Sequence, residues 1–456
     1  MNRLDNFKNK ISLLLKLFQL VQNTRKSREK ILFLQQKKLR RLLIHAYNHS
    51  PFYHTLFDKA GINESNIKTA PLSAFPMTDK NLLMENYDQV LTNHDISQAL
   101  LKELDESKKE SDIHFVHSSG STGSPRYFYY DKTAWNTMLA GIIRGAFWNM
   151  NIGEIMKFVH NGARLCYIAA TNGNYGGAAS IHGGSSRMGA EELYIDLNMP
   201  VSEWLPKIAE FNPNLLMGYP SALKILCDEI AHEDYDIKSR IDFSKICQVV
   251  TCGEPLSPSC RKYLEKTFGR NVINFYGTSE SLALGLESSS DSKMILFDDL
   301  NIIEEIDGKM YLTCLYNFSQ PLIRYHISDR IELIPACGSV PFSRCSVIQS
   351  REEDVMWFTD GIRREFVHPL SVEGFCIEGL TDYQFIQKDN DFFKVVLQTS
   401  SETDFVQRKN IGIKIKEEIQ KVLDEKQLDF VHFEILFAEC IKPEANGKKK
   451  LIVRCA

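Results

Sequence analysis

The stretch IHFVHSSGSTGSPRYFYY, residues 113–130, constrains this chain more than any other. A short alternating run enters a Ser/Thr/Gly-rich turn and leaves as an aromatic run of strand character, which predicts strand–loop–strand. Two glycines let the turn bring backbone N–H groups against an anion. Hydroxyls at Ser118, Ser119, Ser121 and Thr122 surround Gly120 and Gly123, and can donate to phosphate oxygens. Arg126, just past Ser124-Pro125, adds a positive charge at the mouth. The spacing fits neither G-x-x-x-x-G-K-[ST] nor G-x-G-x-x-G, so neither a P-loop NTPase nor a dinucleotide fingerprint is indicated. The plain alternative is a polar surface turn.

The chain has 456 residues, too many for one ordinary core, which predicts two or three domains. Helical and strand patterns alternate from 205 to 335: helix near 220–232, strand 247–251, helix 257–267, strand 271–276. That alternation argues for α/β layers. Residues 350–456 mix short strands (FFKVVLQ, FEILFA, LIVR) with one helix at 408–423, the pattern of a small α+β domain. Residues 26–60 read as helical, broken at Ser50-Pro51. His45, His49 and His54 lie there without a carboxylate or cysteine at ligand spacing, so packed or solvated histidines are expected. The Gly/Ala/Ser stretch at 160–190 reads either as a linker or as a close-approach wall of a ligand cavity.

The formal net charge of −4 gives no basic face for nucleic acid. Eleven cysteines, irregularly spaced and without a C-x-x-C pair, suit a reducing cytoplasm better than a disulfide framework. Ile11–Leu20 is apolar but short and interrupted by Lys16, so no transmembrane segment or signal peptide is expected. It reads as an amphipathic helix packed on the body of the protein, with weak membrane-surface association as the lesser alternative.

With further motifs in order, SSGSTGSPR resembles the phosphate loop of the adenylate-forming superfamily. That superfamily holds the acyl-CoA ligases, luciferases and peptide-synthetase adenylation domains. TCGEPL, with Gly253, Glu254 and Pro255, is similar to the G-G-E-P-L segment that lies against adenine; Cys252 replaces the first glycine. NFYGTSE, with Tyr276, Gly277, Thr278, Ser279 and Glu280, is similar to Y-G-x-T-E. The resemblance implies that Tyr276 stacks on adenine, a hydroxyl meets the α-phosphate and Glu280 binds Mg²⁺. PLIRYHISD resembles P-L-I-R-Y-R-T-G-D, whose Asp, here Asp329, accepts from the ribose hydroxyls. His326 and Ser328 depart from that pattern. SREED looks like a degenerate G-R-x-D-D, which implies Arg351 on ribose or phosphates and Asp354 as hinge. NGKKK places Lys448 after Gly447, where the family carries its catalytic lysine; Lys449 and Lys450 are the alternatives.

Within the superfamily the likeness is to the phenylacetate–CoA ligase and CapK-like branch, through LLIHAYNHSPFYHTLFDKAGI and PMTDKNLL. It covers about 28–454. It implies an α/β fold: a large multi-layer N-terminal domain (1–353) that binds ATP and the acid, and a small mobile α+β C-terminal lid (354–456). It further implies ATP-dependent activation of a carboxylic acid to an acyl-adenylate, then transfer to a thiol, with CoA the leading acceptor. An amine or a carrier-protein thiol is the alternative, and a non-catalytic nucleotide-binding protein the third reading. Glu280, Arg126 and Lys448 are the expected catalytic groups. Tyr167, Tyr175, Gly218 and Tyr219 are expected in the acid pocket, and no structural zinc is expected.

Overall fold

The computed structural model describes the chain except residues 1–2, 108–110, 118–125, 161, 171–189, 233–241, 255, 289–292, 308, 337–339, 349–355, 368–370, 373–374, 376, 378, 401–402, 442–450 and 455–456. Helices α1 (Arg3–Asn23), α2 (Arg28–His49) and α3 (Pro51–Lys59) open the chain. Ser50 ends α2 and starts α3 at once. Its backbone N–H closes on Ala46 O, its hydroxyl accepts from Tyr53 N, and Pro51 follows where no N–H is needed. Of the histidines in this region His45 is half-buried and His49 and His54 are exposed; His54 stacks on Tyr47 at 4.3 Å and lies 3.5 Å from Asp58.

Strands β1 (His114–His117) and β2 (Tyr127–Tyr130) pair antiparallel on either side of the Ser/Gly turn, as the sequence predicts. Helix α4 (Lys132–Ala146) follows, capped by Asp131, whose carboxylate accepts from Ala134 N at 2.8 Å.

The central sheet contains β3 (Arg164–Ala169), β4 (Glu191–Asp196), β5 (Leu215–Gly218), β6 (Gln248–Cys252) and β7 (Val272–Thr278). It continues through β8 (Ser281–Glu287), β9 (Met294–Leu296), β13 (Arg330–Ile334) and β14 (Arg344–Ile348). Between these in sequence, β10 (Asn301–Ile306), β11 (Lys309–Cys314) and β12 (Tyr325–Ile327) form a separate antiparallel sheet. The order across the central sheet is β13-β14-β9-β8-β7-β6-β5-β3-β4. From β4 to β7 neighbours run parallel; from β7 to β13 they run antiparallel. Strands β3, β5 and β6 are nearly continuous apolar runs, as strands covered on both faces must be. Helices α5 (Pro220–His232) and α6 (Pro258–Phe268) are the crossovers.

A second hydrophobic core lies beyond residue 355. It joins the hairpin β15 (Met356–Thr359) and β16 (Arg364–Val367) to a four-stranded sheet of order β19-β18-β17-β20. That sheet contains β17 (Leu380–Gln387), β18 (Phe392–Thr399), β19 (His432–Ala438) and β20 (Ile452–Arg454). Helix α7 (Phe405–Glu425) covers it with Ile411, Ile415 and Ile419, and opens on an Asp404/Gln407 capping box. This unit touches the large one at the segment after β4. Trp204 and Phe366 meet edge to face at 5.5 Å. Lys426, fully buried, donates to Met199 O at 3.0 Å and to Glu365 at 3.3 Å. Glu365 also accepts from Val201 N.

Candidate functional site

The carboxyl ends of the parallel strands β4, β3, β5, β6 and β7 lie along one edge of the sheet, and open α/β sheets bind ligands at such ends. Gly218 ends β5, Gly253 follows β6, and Gly277 lies near the end of β7. Gly253 has φ +79, and a Cβ there would stand 2.7 Å from the Tyr219 ring. Only glycine therefore lets this turn lie on that ring. At Gly277 a Cβ would stand 2.5 Å from Leu282 O, so the close β7–β8 hairpin requires its absence. Tyr167, on β3, is buried, and its hydroxyl lies 3.8 Å from Cys252 Sγ.

The β7–β8 turn presents the charged centre. Arg126 Nη1 lies 3.4 Å from Glu280 Oε1 and 3.3 Å from the Tyr325 hydroxyl. The hydroxyl of Tyr276 donates to Asp329 Oδ2 at 2.7 Å, tying the end of β7 to the loop after β12. Burial pushes the Glu280 carboxyl above its ordinary range, and the Arg126 guanidinium opposes that shift. Burial, followed by the adjacent Asp329 carboxylate, raises the Tyr276 phenol well above its usual value, so it stays a neutral donor. Tyr130 holds the turn itself, donating to Ser279 O and Glu280 O at 3.3 and 3.4 Å.

The Thr278 hydroxyl is buried without a geometric hydrogen-bond partner, although it is near enough to Glu280 to help hold that carboxylate charged. Among the described residues no group of three or more His, Cys, Asp or Glu could hold a metal. A cation held at Glu280 would draw further oxygens from a bound phosphate, the usual arrangement for Mg²⁺ on phosphates.

The structure thus brings together Arg126, Tyr276, Thr278, Ser279, Glu280 and Asp329, with Gly218, Tyr219, Gly253 and Tyr167 on the adjoining strand ends. Glu254 also acts as a helix cap. Its carboxylate accepts from Ser221 N and Ser221 Oγ at 3.0 and 2.9 Å, closing the first turn of α5. Ser118, Ser119, Gly120, Ser121, Thr122, Gly123, Tyr175, Pro255, Arg351, Asp354 and Lys448 lie outside the described residues.

Three residues near the centre do not stand out in the sequence. Tyr325 lies inside the PLIRYHISD motif but carries no expected role. Lys80 follows PMTD; burial and then the Arg126 guanidinium lower its amine below the usual lysine range. It comes near because Thr78 bridges to β12, donating from N to Arg324 O at 2.9 Å and accepting from His326 N at 2.8 Å. Arg324 holds this junction with φ +46, donating to Phe75 O, Ser73 O and Glu304.

The family model for "AMP-binding enzyme" matches residues 25–295, more than half of the chain. The chain belongs to the AMP-binding enzyme family. A phenylacetate-coenzyme A ligase of Pseudomonas putida is 24% identical over 419 residues, covering 87% of this chain and 84% of that relative. Protein CapK of Staphylococcus aureus is 22% identical, covering 92% and 88%. The resemblance to the phenylacetate–CoA ligase and CapK-like branch therefore stands. A solved 2-hydroxyisobutyryl-CoA ligase, in complex with 2-HIB-AMP and CoA, superposes with a TM-score of 0.61 at 16% identity, covering 95% of this chain and 91% of that one. The α/β fold expected for an AMP-binding enzyme of this branch is the fold observed.

Proposed function

We propose that this AMP-binding enzyme activates a carboxylic acid with ATP, releasing pyrophosphate, and passes the acyl group to the thiol of CoA. The observation that carries the reading is one turn: Thr278 with its hydroxyl buried near Glu280, Glu280 buried against Arg126, and Asp329 beside Tyr276. In this reading they would meet the α-phosphate, a cation and the ribose of the nucleotide.

The chemistry follows from leaving groups. A carboxylate is a poor acyl donor because it would have to expel oxide. Its oxygen instead attacks the α-phosphorus, the bond to pyrophosphate breaks, and an acyl-adenylate forms. Negative charge grows on the non-bridging oxygens, so prearranged donors lower the barrier. Arg126, the Thr278 hydroxyl and the turn at 118–123 supply those donors in this reading. Mg²⁺ bound at Glu280 would neutralise phosphate charge. Asp329 has one oxygen on Tyr276 and lone pairs left for a ribose diol. Tyr167, Tyr219 and Gly218 wall the acid. Lys448 completes the charge on the reacting phosphate, and losing it raises the adenylation barrier by roughly 3–4 kcal/mol. The C-terminal unit, residues 354–456, then turns about Asp354 and admits the thiol, which attacks the acyl carbon and expels AMP.

The activities named for the relatives support the acid–CoA ligase reading over transfer to an amine or a carrier protein. Acid-dependent ATP–pyrophosphate exchange over a panel of aryl and aliphatic acids tests the first half. Glu280→Ala should abolish the exchange. Absence of exchange with every acid overturns adenylation for the panel. Adding CoA, then amines, to the active acid decides the acceptor.

A further inference from the structure

Helix α1 has two apolar faces, and the fold uses one. Leu13, Leu17 and Leu20 lie at three- and four-residue spacing and pack into the main core, with α1 along α4. The other face carries Ile11, Leu14, Leu15, Phe18 and Val21, which are 42, 52, 65, 63 and 39% exposed. On α2, Phe33 is 70% exposed, with exposed Lys30 and Lys37 one turn to either side.

The outer face cannot roll inward. Asn23, at the end of α1, donates to Asp299 at 2.7 Å, and Arg144 holds the same carboxylate while donating to Leu20 O. All three side chains of that network are buried. The apolar stripe is therefore displayed by a fixed helix.

Charge says what covers it. Residues 1–30 contain eight lysines and arginines against Asp5 and Glu29, a formal +6 in a chain whose total is −4. Lys10 and Arg25 are exposed near the two ends of the stripe. A two-fold pairing of copies through this face would set like charges against one another. A nucleic acid would meet the charge but not the leucines. No helix among the described residues is long and apolar enough to cross a bilayer. A basic helix with a wide apolar face fits a position in the plane of a lipid surface.

We infer that the outer face of α1, with Phe33 of α2, docks the protein on an anionic phospholipid surface. The inference is independent of the proposed reaction.

Flotation of the full chain with phosphatidylcholine vesicles containing about a quarter phosphatidylglycerol tests it, against pure phosphatidylcholine. The protein should float with the anionic vesicles. Partitioning should fall at least about tenfold on pure phosphatidylcholine, in high salt, and for Leu15→Asp with Phe18→Asp. Circular dichroism and melting of that variant should match the parent, because both side chains face solvent. If it does not fold, Lys10→Glu with Lys30→Glu should weaken flotation by a similar factor. Failure of the parent to float overturns the inference. So does flotation unaffected by the substitutions, or a dimer in solution that Leu15→Asp with Phe18→Asp dissolves while vesicles are ignored.

Discussion

Lys426 offers the most demanding test of how the C-terminal unit is held. It sits just past α7 with its side chain fully buried, against Glu365, itself 2% exposed. Its ammonium stands 3.8 Å from the Phe366 ring centroid. Lys426→Met keeps the length and most of the packing but leaves the Glu365 carboxylate, among the described residues, with two backbone donors, Val201 N and Phe366 N. Removing one partner of a buried pair typically costs about 3–5 kcal/mol. Every 1.4 kcal/mol is tenfold, so exchange of the Val201 amide should quicken by roughly a hundred- to a few thousand-fold. Native-state hydrogen exchange on peptides covering 199–204 measures this directly. Lys426→Met with Glu365→Gln keeps an acceptor for Val201 and removes the orphaned charge, so it should recover more than half of the loss. A change below about tenfold in the single variant would refute the reasoning. The pH dependence has a definite sign. Burial lowers the Lys426 amine to about 8 from an ordinary 10.5, so between those values the unfolded chain holds a proton that the folded one has shed. Stability contributed by this group then rises with pH across that window, by roughly 3 kcal/mol in all. The difference in melting temperature between parent and Lys426→Met should widen from pH 8 upward.

Glu280→Gln should abolish pyrophosphate exchange yet raise the melting temperature at neutral pH. The parent carboxyl is held above its ordinary pKa by burial, so its contribution to stability falls as pH rises through the folded value; the gain should vanish in acid, below about 4.5. Tyr276→Phe removes the hydrogen bond that holds the Asp329 carboxylate and should lower folding stability by about 1.5–3 kcal/mol, with a higher KM for ATP as Asp329 loosens. Gly253→Ala should disturb the same site through the +79 φ and the Tyr219 contact, lowering exchange at least about tenfold while melting falls by only a few degrees.

Much of the architecture is legible in the chain itself. Periodicity places β6, β7, α5 and α6 within one or two residues and shows a strand–turn–strand at β1 and β2, because apolar runs and Ser/Pro caps are local signals. The motif residues Arg126, Tyr276, Glu280 and Asp329 are legible as a set through their order along the chain. The roles of Glu254 as a helix cap and Arg324 as the anchor of residues 73–78 are not, since each depends on a partner far away in sequence. Lys80 gives no local signal for the same reason.

Residues 11–20 show the division well. Sequence alone indicated that they form an amphipathic helix, because 3.6-residue periodicity is a property of the backbone. It did not determine which leucines meet the core. That was decided by the buried Asp299 contacts with Arg144 and Asn23, which fix the rotation of α1 and leave Leu14, Leu15 and Phe18 outside. Likewise, the sequence supplied a carboxylate, a guanidinium and a phenol on separate segments. Only the packing of three separate sheets against one another brings Arg126, Glu280 and Tyr325 within hydrogen-bond reach, because groups 154 and 199 residues apart meet through tertiary packing rather than spacing.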